Sequence, residues 1–522
     1  MSFRLTYATM FNPPEAIHER FEAALSGMRS ALGARHPLYI DGDDRDGPAV
    51  ARRFSPIDAR LHIGDFVQAS GADVAAAVAG AKRAWPAWRA LGAAERAGLM
   101  RKVADVMESR VYEIAAAMVL EVGKTRMEAL GETQETVDFF RHYADDFESH
   151  HGYDVALPND PLEGAVSTNR SILRPYGVWA VIAPFNFPLA LAGGPVAAAL
   201  VTGNTVVAKG ASDTPWAGRL LADCIRDAGL PPGVFNYLVG PGGDVGEAII
   251  GDPRLAGLTF TGSVEVGMGL VRRLAGGAYP RPCIAEMGGK NACIVTPGAD
   301  LERAAAGIIR SAYGMGGQKC SALSRLYVHE SLADELLERV AKAAGAMEIG
   351  DPTLRRTWLG PVINARAHEA FDAYAGQLVS GGARLIAGGG RPAGNDLPDG
   401  YYVTPILAEA PLDHPLWKQE MFLPILMAHR FADREEAMAL ANDSDVGLTA
   451  GFFGAPEDVA WFQDNIEVGV TYANRGAGAT TGAWPGYQPF GGWKGSGSTG
   501  KGIASFYYLA QYQREQSRTV VS

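Results

Sequence analysis

The sequence predicts an α/β protein with two successive units, each a parallel sheet that carries helices on both faces. The chain has 522 residues, more than one ordinary core holds. From Arg174, short β-branched segments such as GVWAVIAP and NTVVAK alternate with helical ones, and a second alternating set begins at CIAEMGGKNACIV. Such alternation favours parallel sheets, because each crossover helix packs on a face of the sheet.

The remaining segments have other patterns. Residues 74–143 are alanine-rich and amphipathic, which predicts packing helices before the first sheet. The segment 150–175 and the tail after Gly502 have the pattern of exposed strands, which commonly pair with a second subunit. We therefore predict a homo-oligomer, at least a dimer, that forms through these strands.

Composition and charge disfavour several classes of protein. With 47 Lys and Arg against 58 Asp and Glu, the formal net charge is −11, so nucleic acid or an anionic membrane would be repelled. We find neither a signal-peptide pattern nor an apolar run long enough to cross a bilayer, so we expect a cytoplasmic protein. The four cysteines show no CxxC spacing, so neither a disulfide framework nor a metal site is predicted.

Two glycine-containing stretches are candidates for phosphate binding. GSGSTGKG matches GxGxxG with Gly495, Gly497 and Gly500, but it follows turn-forming residues and not a strand, so we predict a loop or hinge. In LTFTGS, Gly262 and Ser263 follow a strand and precede a helix, whose free N–H groups can hold an anion. A simple N-cap role for Ser263 is the alternative interpretation.

Among the cysteines, Cys320 has the setting of a reactive group. It lies in GMGGQKCSALSR, a flexible and electropositive stretch that favours thiolate over thiol, although packing as a small buried residue is the alternative. A thiol that attacks a carbonyl needs an oxyanion donor and, for hydrolysis, a general base. Asn186 in APFNFP and Glu286 in AEMGGKN lie next to the ends of apolar strands and are candidates, although each alone is equally consistent with a turn or a cap.

Taken together, seven motifs resemble the aldehyde dehydrogenase superfamily from about Pro37 to the C-terminus. They are APFNFPLA, GNTVVAKGASDTP, LTFTGSVEVG, EMGGKN, GGQKCSALSR, KQEMFLPIL and QPFGGWKGSG, in the family's order and approximate spacing. The resemblance implies an aldehyde dehydrogenase-like fold with two doubly wound Rossmann-like domains and a small β oligomerisation flap. It implies N-terminal helices and a dinucleotide-binding domain in 1–149 and 176–284, a catalytic domain in 285–475, oligomerisation strands in 150–175 and 503–522, and a substrate-anchor loop with a C-terminal crossover in 476–502.

The resemblance also implies a mechanism. Cys320 would attack an aldehyde, and the Asn186 amide with the Cys320 backbone N–H would hold the oxyanion of the thiohemiacetal. Glu286 would activate the water that hydrolyses the later thioester, a task that suits a carboxyl group whose pKa is raised by burial. Because Glu286 is present, release of a free acid is expected, and not transfer to coenzyme A.

The implied cofactor is NAD or NADP, bound across the strand ends. In place of the glutamate that the family often has, this chain has Ser212. A glutamate would repel a 2′-phosphate, so its absence predicts that NADP is tolerated. The resemblance implies contacts with the adenosine ribose at Lys209 and Ser212, with the pyrophosphate at Gly262 and Ser263, and with the nicotinamide ribose at Glu420 and Phe422.

Within the superfamily, MFNPPEA, QKCSALSR and TGAWPGYQPFGG look most like the branch that oxidises L-glutamate γ-semialdehyde to L-glutamate in proline catabolism. Backbone N–H groups can bind a carboxylate without a net positive charge. The resemblance implies that Ser321 and the N–H groups of Gly482 and Ala483 hold the substrate carboxylate. Phe187 and Phe490 would enclose its methylene chain, as in a small aliphatic slot.

Other substrates and classes stay open. Glu135 is a further candidate substrate contact, with a solvated helix charge as the alternative. NRGAGATTGAWPG is longer than the family's usual loop, and Trp484 and Tyr487 are expected either to add bulk beside the anchor or to pack within the loop. The alternatives are a dehydrogenase of another semialdehyde or of an aromatic-pathway aldehyde, a cofactor-independent thioesterase or esterase that uses Cys320 and Glu286, and a non-catalytic protein on the same fold.

Overall fold

The computed structural model describes residues 4–161, 163–392 and 397–522, in which strands and helices alternate. The strands are β1 (Ala34–His36), β2 (Leu38–Ile40), β3 (Asp43–Arg45), β4 (Val50–Phe54), β5 (His62–Val67), β6 (Asp154–Leu157), β7 (Ser167–Pro175), β8 (Val178–Ile182), β9 (Thr205–Lys209), β10 (Phe235–Leu238), β11 (Leu255–Thr261), β12 (Cys283–Glu286), β13 (Asn291–Val295), β14 (Leu323–His329), β15 (Arg384–Ala387), β16 (Ile406–Glu409), β17 (Ile425–Phe431), β18 (Val446–Gly447), β19 (Thr449–Phe453), β20 (Val470–Ala473), β21 (Trp493–Lys494) and β22 (Gln513–Val521).

The helices surround these strands. Among those described, none combines the length and the apolar character that a membrane span requires. They are α1 (Glu15–Ser30), α2 (Gly71–Ala90), α3 (Ala93–Ser109), α4 (Val111–Val122), α5 (Arg126–Ser149), α6 (Ala190–Val201), α7 (Pro215–Asp227), α8 (Glu247–Gly251), α9 (Val264–Ala275), α10 (Leu301–Tyr313), α11 (Glu330–Gly345), α12 (Ala365–Ser380), α13 (Arg434–Asn442) and α14 (Val459–Asn465).

The first large sheet has the strand order β12-β11-β8-β9-β10-β2-β3. The strands from β12 to β10 are parallel, and the antiparallel β2 and β3 extend the sheet beyond them. The chain adds β8, β9 and β10 in one direction and then returns to place β11 and β12 on the other side of β8. In doubly wound sheets, ligands bind at the carboxyl ends of the strands beside such a reversal. The ends of β8 and β11 therefore define a candidate cofactor crevice.

The second large sheet has the order β15-β16-β17-β14-β13-β19-β20 and is parallel except for the β15 and β16 pair. Its strand β13 is buried along its whole length, which explains its continuous apolar run. The predicted boundary between residues 284 and 285 falls inside β12, which pairs with β11 of the first sheet. The second sheet thus begins only at Asn291, and the α/β architecture with two such sheets is as predicted.

A third sheet lies apart from these two and has the antiparallel order β22-β7-β6. Its outer strands, β22 and β6, each leave an edge that pairs with no described strand. Part of the C-terminal tail differs from the predicted exposed strand, because Tyr508, Leu509 and Tyr512 are buried in a 3₁₀ turn. The ring of Tyr512 packs against Trp179 of the first sheet, with centroids 4.8 Å apart. The strand β22 therefore begins at Gln513, which is buried, and its exposed residues begin at Arg514.

Candidate active site

The nucleophile loop, residues 314–322, connects α10 to β14 and carries Cys320. Asn291, at the start of β13, donates from Nδ2 to the carbonyl oxygens of Cys320 at 2.7 Å and Ala322 at 2.8 Å. The side chain of Asn291 is buried, and a buried amide left without these partners would cost stability. A neighbouring strand of the same sheet therefore fixes the backbone at and after the nucleophile.

The loop has two further contacts, one with the segment before β17 and one with the segment after β8. Gly317 has a φ of +65°, and a Cβ at this position would collide with the carbonyl group of Leu423, so glycine is required. Asn186, shortly after β8, donates from Nδ2 to the carbonyl oxygen of Gln318 at 3.0 Å. An amide nitrogen carries two hydrogens, and this contact uses one of them. Asn186 thereby connects the two sheets next to Cys320.

The electrostatic environment of Cys320 is not the predicted one. Burial raises the pKa of the Cys320 thiol to about 12, and the carboxyl groups of Glu420 and Glu286 add to the rise. Burial also lowers the pKa of the neighbouring Lys319. The expectation of a favoured thiolate is therefore wrong, because burial outweighs the flanking lysine. A pKa raised in this direction favours the thiol near neutral pH, so attack on a carbonyl calls for a base.

Glu286, the last residue of β12, can supply such a base. Its Oε2 is inaccessible to solvent and has no hydrogen-bond partner among the described residues. Burial raises the pKa of Glu286 well above its usual range. A buried polar oxygen without a partner is costly, so this position fits a carboxyl group that exchanges a proton with a ligand or a water.

The glycine-rich stretch GSGSTGKG supports β12 from outside. It forms turns, and the Met287 N–H donates to the Ser496 carbonyl oxygen at 2.8 Å. The Ser496 hydroxyl donates to the Gly288 carbonyl oxygen at 2.7 Å, and the Ser498 hydroxyl donates to that of Cys283 at 2.8 Å. The segment with Gly495, Gly497 and Gly500 is thus a connection that braces the strand of Glu286, in agreement with the predicted loop.

The candidate residues for the adenosine and pyrophosphate side lie at strand ends of the first sheet. Lys209 ends β9, where it pairs with Ile182 at the end of β8. Its Nζ donates to the Gly210 carbonyl oxygen at 3.1 Å, and burial lowers its pKa to about 8. Gly262 and Ser263 follow β11, and the Ser263 hydroxyl caps α9 by accepting from the Val266 N–H at 3.4 Å. The N-cap interpretation of Ser263 is therefore correct, and it does not conflict with phosphate binding.

The other candidate cofactor residues are Ser212, Glu420 and Phe422. The Ser212 hydroxyl donates to the Gly240 carbonyl oxygen at 3.1 Å. Glu420 accepts from the Gly289 N–H at 3.0 Å, and burial raises its pKa to about 7. Phe422 has a φ of +56°. A lysine, polar side chains and a helix N-terminus at the reversal point fit the phosphates and ribose hydroxyls of a dinucleotide.

Cys320 lines a cavity of about 390 Å³. Its size and mixed apolar and polar walls suit a small ligand. The predicted residues that line this cavity come from four separate parts of the sequence, around positions 135, 187, 320 and 482–490. The predicted substrate contacts that line the cavity are Phe187, Ser321, Gly482, Ala483, Phe490 and Glu135.

Glu135 is not a solvated helix charge. Its Oε2 accepts a hydrogen bond from the Tyr7 hydroxyl at 2.6 Å, and burial raises its pKa to about 8. The Tyr7 ring packs edge-on against Trp484, with centroids 5.1 Å apart. Tyr7 lines the cavity and was missed in the sequence analysis. The one feature of the sequence that could have indicated Tyr7 is its position as an aromatic residue shortly before MFNPPEA.

The anchor loop depends on Arg475, another residue that the sequence analysis missed. Its guanidinium donates to the carbonyl oxygens of Thr481 and, at 3.4 Å, Gly482. It also lies over the Tyr472 ring, 5.3 Å from the centroid. Gly482 has a φ of +116°, which favours glycine, and a Cβ there would collide with the guanidinium. Arg475 therefore shapes the backbone that presents the N–H groups of Gly482 and Ala483.

The two aromatic residues of this loop have different positions. Trp484 is 3% exposed, lines the cavity and donates from Nε1 to Asp138 at 2.8 Å. Tyr487 is 66% exposed and lies outside the cavity, in a turn that a bridge between Trp484 and Gln488 closes. The expectation of added bulk beside the anchor is correct for Trp484 and wrong for Tyr487.

A buried ion pair supports the aromatic wall at Phe187. Lys124 Nζ lies 4.1 Å from the centroid of the Phe187 ring and pairs with the carboxylate of Glu132. The other carboxylate oxygen of Glu132 accepts from the backbone N–H groups of Leu189 at 2.8 Å and Ala190 at 3.1 Å. The pair therefore fixes the first turn of α6, directly after Asn186 and Phe187 in the chain.

The site combines a cysteine thiol, a carboxyl group with one oxygen unpartnered in the described part of the chain, and a carboxamide, and it lies beside strand ends that fit a dinucleotide. These features define a cysteine-dependent dehydrogenase of carbonyl compounds. The chain belongs to the aldehyde dehydrogenase family, whose model matches residues 45–517. The predicted family and the predicted class, an NAD(P)-dependent aldehyde oxidoreductase, are thereby confirmed.

Several proteins named as dehydrogenases are similar to this chain. 1-pyrroline-5-carboxylate dehydrogenase 1 of Halalkalibacterium halodurans is 35% identical over 506 residues, 96% of each chain. 1-pyrroline-5-carboxylate dehydrogenase 2 of Bacillus subtilis is 35% identical over 503 residues, 95% of each chain. The structure of 1-pyrroline-5-carboxylate dehydrogenase from Thermus with bound NAD has a TM-score of 0.91 and 33% identity, and covers 100% of this chain and 99% of that one. The predicted fold class is confirmed by this match.

Proposed function

We propose that this protein oxidises L-glutamate γ-semialdehyde to L-glutamate with NAD or NADP, in the catabolism of proline. The supporting observation is the cavity beside Cys320, which has a carboxyl group at Glu135 and a loop of backbone N–H groups at Gly482 and Ala483. A short aldehyde with an ammonium group and a carboxylate is complementary to these two kinds of group. The names of the similar proteins agree with this choice of substrate.

The proposed mechanism begins with the thiol. The carboxylate of Glu286 takes the proton of Cys320, whose raised pKa otherwise keeps it protonated. The thiolate attacks the aldehyde carbon, and the oxyanion accepts hydrogen bonds from the Cys320 N–H and the remaining amide hydrogen of Asn186. The thiohemiacetal becomes a thioester when it loses one hydrogen with two electrons. NAD or NADP, when bound at the strand ends, would supply the acceptor. Glu286 next releases the proton of Cys320 to solvent. It then takes a proton from the water that attacks the thioester, and the acid leaves as the Cys320 thiolate is expelled.

The unit built on the first sheet is proposed to bind the dinucleotide, and the unit built on the second sheet to carry the nucleophile. We further propose a homo-oligomer that forms through the third sheet, in a cytoplasmic protein. The open edges of β22 and β6 support this contact, as do apolar residues that they leave exposed. The exposed residues are Val155, Leu157, Val520 and Val521. Light scattering of the full chain and of a chain that ends at Gln513 would test it, since only the former should exceed a monomer.

A panel of aldehydes tests the substrate. Reduced-cofactor absorbance is followed with L-glutamate γ-semialdehyde, glutarate semialdehyde, succinate semialdehyde and benzaldehyde, each with NAD and with NADP. Glutarate semialdehyde is the matched control, because it has the same carbon chain without the amino group. We expect the highest kcat/KM for L-glutamate γ-semialdehyde. If glutarate semialdehyde or benzaldehyde is oxidised more efficiently, the proposed substrate is wrong.

A further inference from the structure

The N-terminal segment, residues 4–14 before α1, lines part of the substrate cavity. It precedes the region 45–517 that matches the family model, yet it contributes several residues to the lining of the cavity that contains Cys320. Part of the substrate site therefore comes from outside the matched region. The lining residues from this segment are Tyr7, Met10, Phe11 and Pro13.

Tyr7 makes the polar contact between this segment and the cavity wall. Its hydroxyl donates to Glu135 Oε2 at 2.6 Å, and its ring contacts Trp484 and Phe187 edge-on, with centroids 5.1 Å and 6.4 Å away. Gly131, one turn before Glu135 on α5, leaves room for the ring, since a Cβ there would lie 3.0 Å from Tyr7 Cε1. The helix is thus shaped to receive this tyrosine.

The segment is fixed on both sides of Tyr7. Arg4 donates to Asp138 Oδ2 at 3.1 Å, the same oxygen that accepts from Trp484 at 2.8 Å. On the other side, the guanidinium of Arg310 lies 3.7 Å from the centroid of the Phe11 ring and donates to the carbonyl oxygen of Gly476 in the anchor loop at 2.9 Å. Tyr7 therefore has a defined position relative to both α5 and the anchor loop.

We propose that Tyr7 is a positioning residue, which holds the Glu135 carboxylate so that its second oxygen receives the ammonium group of the substrate. A carboxylate accepts at both oxygens, and the Tyr7 hydroxyl occupies Oε2 while Oε1 is left for a donor in the cavity. Burial raises the pKa of Glu135, whereas the hydrogen bond from Tyr7 lowers it, and a second donor from the substrate would favour the ionised carboxyl group further. This inference rests on the proposed function, because it needs an aldehyde that carries an amino group.

The test compares two substrates and four proteins. The substrates are L-glutamate γ-semialdehyde and glutarate semialdehyde, and the proteins are the wild type, Tyr7→Phe, Glu135→Gln and the double variant. Tyr7→Phe keeps the aromatic contacts and removes only the hydroxyl. We expect KM for the amino aldehyde to rise about tenfold, the effect of one hydrogen bond to a charged group, with kcat within about twofold. Neither constant should change for glutarate semialdehyde.

The double variant separates positioning from a structural role. If Tyr7 acts through Glu135, Tyr7→Phe has no further effect in the Glu135→Gln background, because the carboxylate is already absent. Additive effects in the double variant, or equal losses on both aldehydes, would overturn the inference. Tyr279→Phe, in an exposed loop between α9 and β12, loses the same hydroxyl and should match the wild type.

The wild type distinguishes this inference from the proposed function. If the wild type does not prefer L-glutamate γ-semialdehyde to glutarate semialdehyde, both fail. If the preference is present and Tyr7→Phe keeps it unchanged, only the role of Tyr7 is wrong. Melting temperatures of all the proteins would show whether Tyr7→Phe remains folded, as the retained ring predicts.

Discussion

The catalytic groups and the substrate cavity are built from different kinds of structure. Asn186, Glu286 and Cys320 lie next to the ends of strands in the two large sheets, where ladders and buried amides fix the backbone. The cavity walls include an N-terminal segment and an irregular loop, which a few side-chain contacts hold against the surrounding helices. The comparison indicates that the chemistry depends on the sheets, whereas substrate selection depends on contacts that single substitutions can remove.

The largest effect is expected at the nucleophile. Cys320→Ala removes the only group proposed to bond to the aldehyde, so dehydrogenase activity should fall by a factor of about 10⁴ or more. Reduced-cofactor absorbance measures the loss, and binding of NAD by fluorescence titration should be retained. Full activity in this variant would contradict the proposed mechanism.

Glu286→Gln should slow the hydrolysis of the thioester. We expect kcat to fall about 10²- to 10³-fold, the usual contribution of a general base. Rapid mixing should still show a burst of reduced cofactor if another group can deprotonate Cys320, and no burst if Glu286 alone does so. Because the pKa of Glu286 is raised, the wild-type rate should increase with pH as this carboxyl group loses its proton. A pH profile of Glu286→Gln with the same rise would assign it to another group.

The anchor loop should respond differently from the strand ends. Arg475→Met releases the carbonyl groups of Thr481 and Gly482 and disorders the proposed carboxylate site. KM should rise about tenfold, as for loss of one charge-assisted contact, while kcat stays within about twofold. Arg272→Met, an exposed arginine on α9, is the control and should leave KM for the aldehyde unchanged. If Arg475→Met lowers kcat more than it raises KM, the anchor loop takes part in the reaction step and not only in binding.

A smaller effect is expected in the cofactor crevice. Ser212→Glu introduces a carboxylate where a 2′-phosphate is expected. KM for NADP should rise about fivefold, because two like charges about 4 Å apart in water repel by about 1 kcal/mol. KM for NAD should stay the same or fall. Initial rates with both cofactors measure this ratio. An unchanged ratio would place the 2′ position away from Ser212.

The smallest effect is expected on the outer side of the same anchor loop. Tyr487 is exposed and lies outside the cavity, so Tyr487→Ala should change kcat/KM by less than about twofold, as for most surface substitutions. Trp484→Ala, which opens the cavity wall three residues earlier, is the matched comparison and should alter the ranking of the aldehyde panel. Equal effects of the two substitutions would contradict the assigned positions.

The sequence predicted the residues of the catalytic centre and six residues of the cavity wall, but not the contacts between distant segments that hold this wall. Asn186, Glu286, Cys320 and the cofactor candidates lie in motifs next to regular strands, so a local pattern locates them. Tyr7 and Glu135 are 128 positions apart, and no local pattern joins them. The same limit applies to Arg475, which acts on carbonyl groups, and carbonyl groups carry no sequence signal.

The pKa of Cys320 illustrates a related limit. Its sequence neighbours include a lysine, which predicted an easily ionised thiol. The actual environment is set by burial and by Glu420 and Glu286, which are neighbours only in the folded chain. The residues that flank a side chain in the sequence do not show how far the fold removes it from water, and this burial sets its pKa.

The hydrogen bond from Asn186 to the carbonyl oxygen of Gln318 has a consequence for how this enzyme can diverge. One amide is proposed to receive the oxyanion, and the same amide holds the loop of the nucleophile. A substitution at Asn186 would therefore damage both tasks at once, and no single compensating change can repair them. Mutations that open new substrates are accordingly expected to accumulate in the N-terminal segment and the anchor loop, while the centre that performs the oxidation stays as it is.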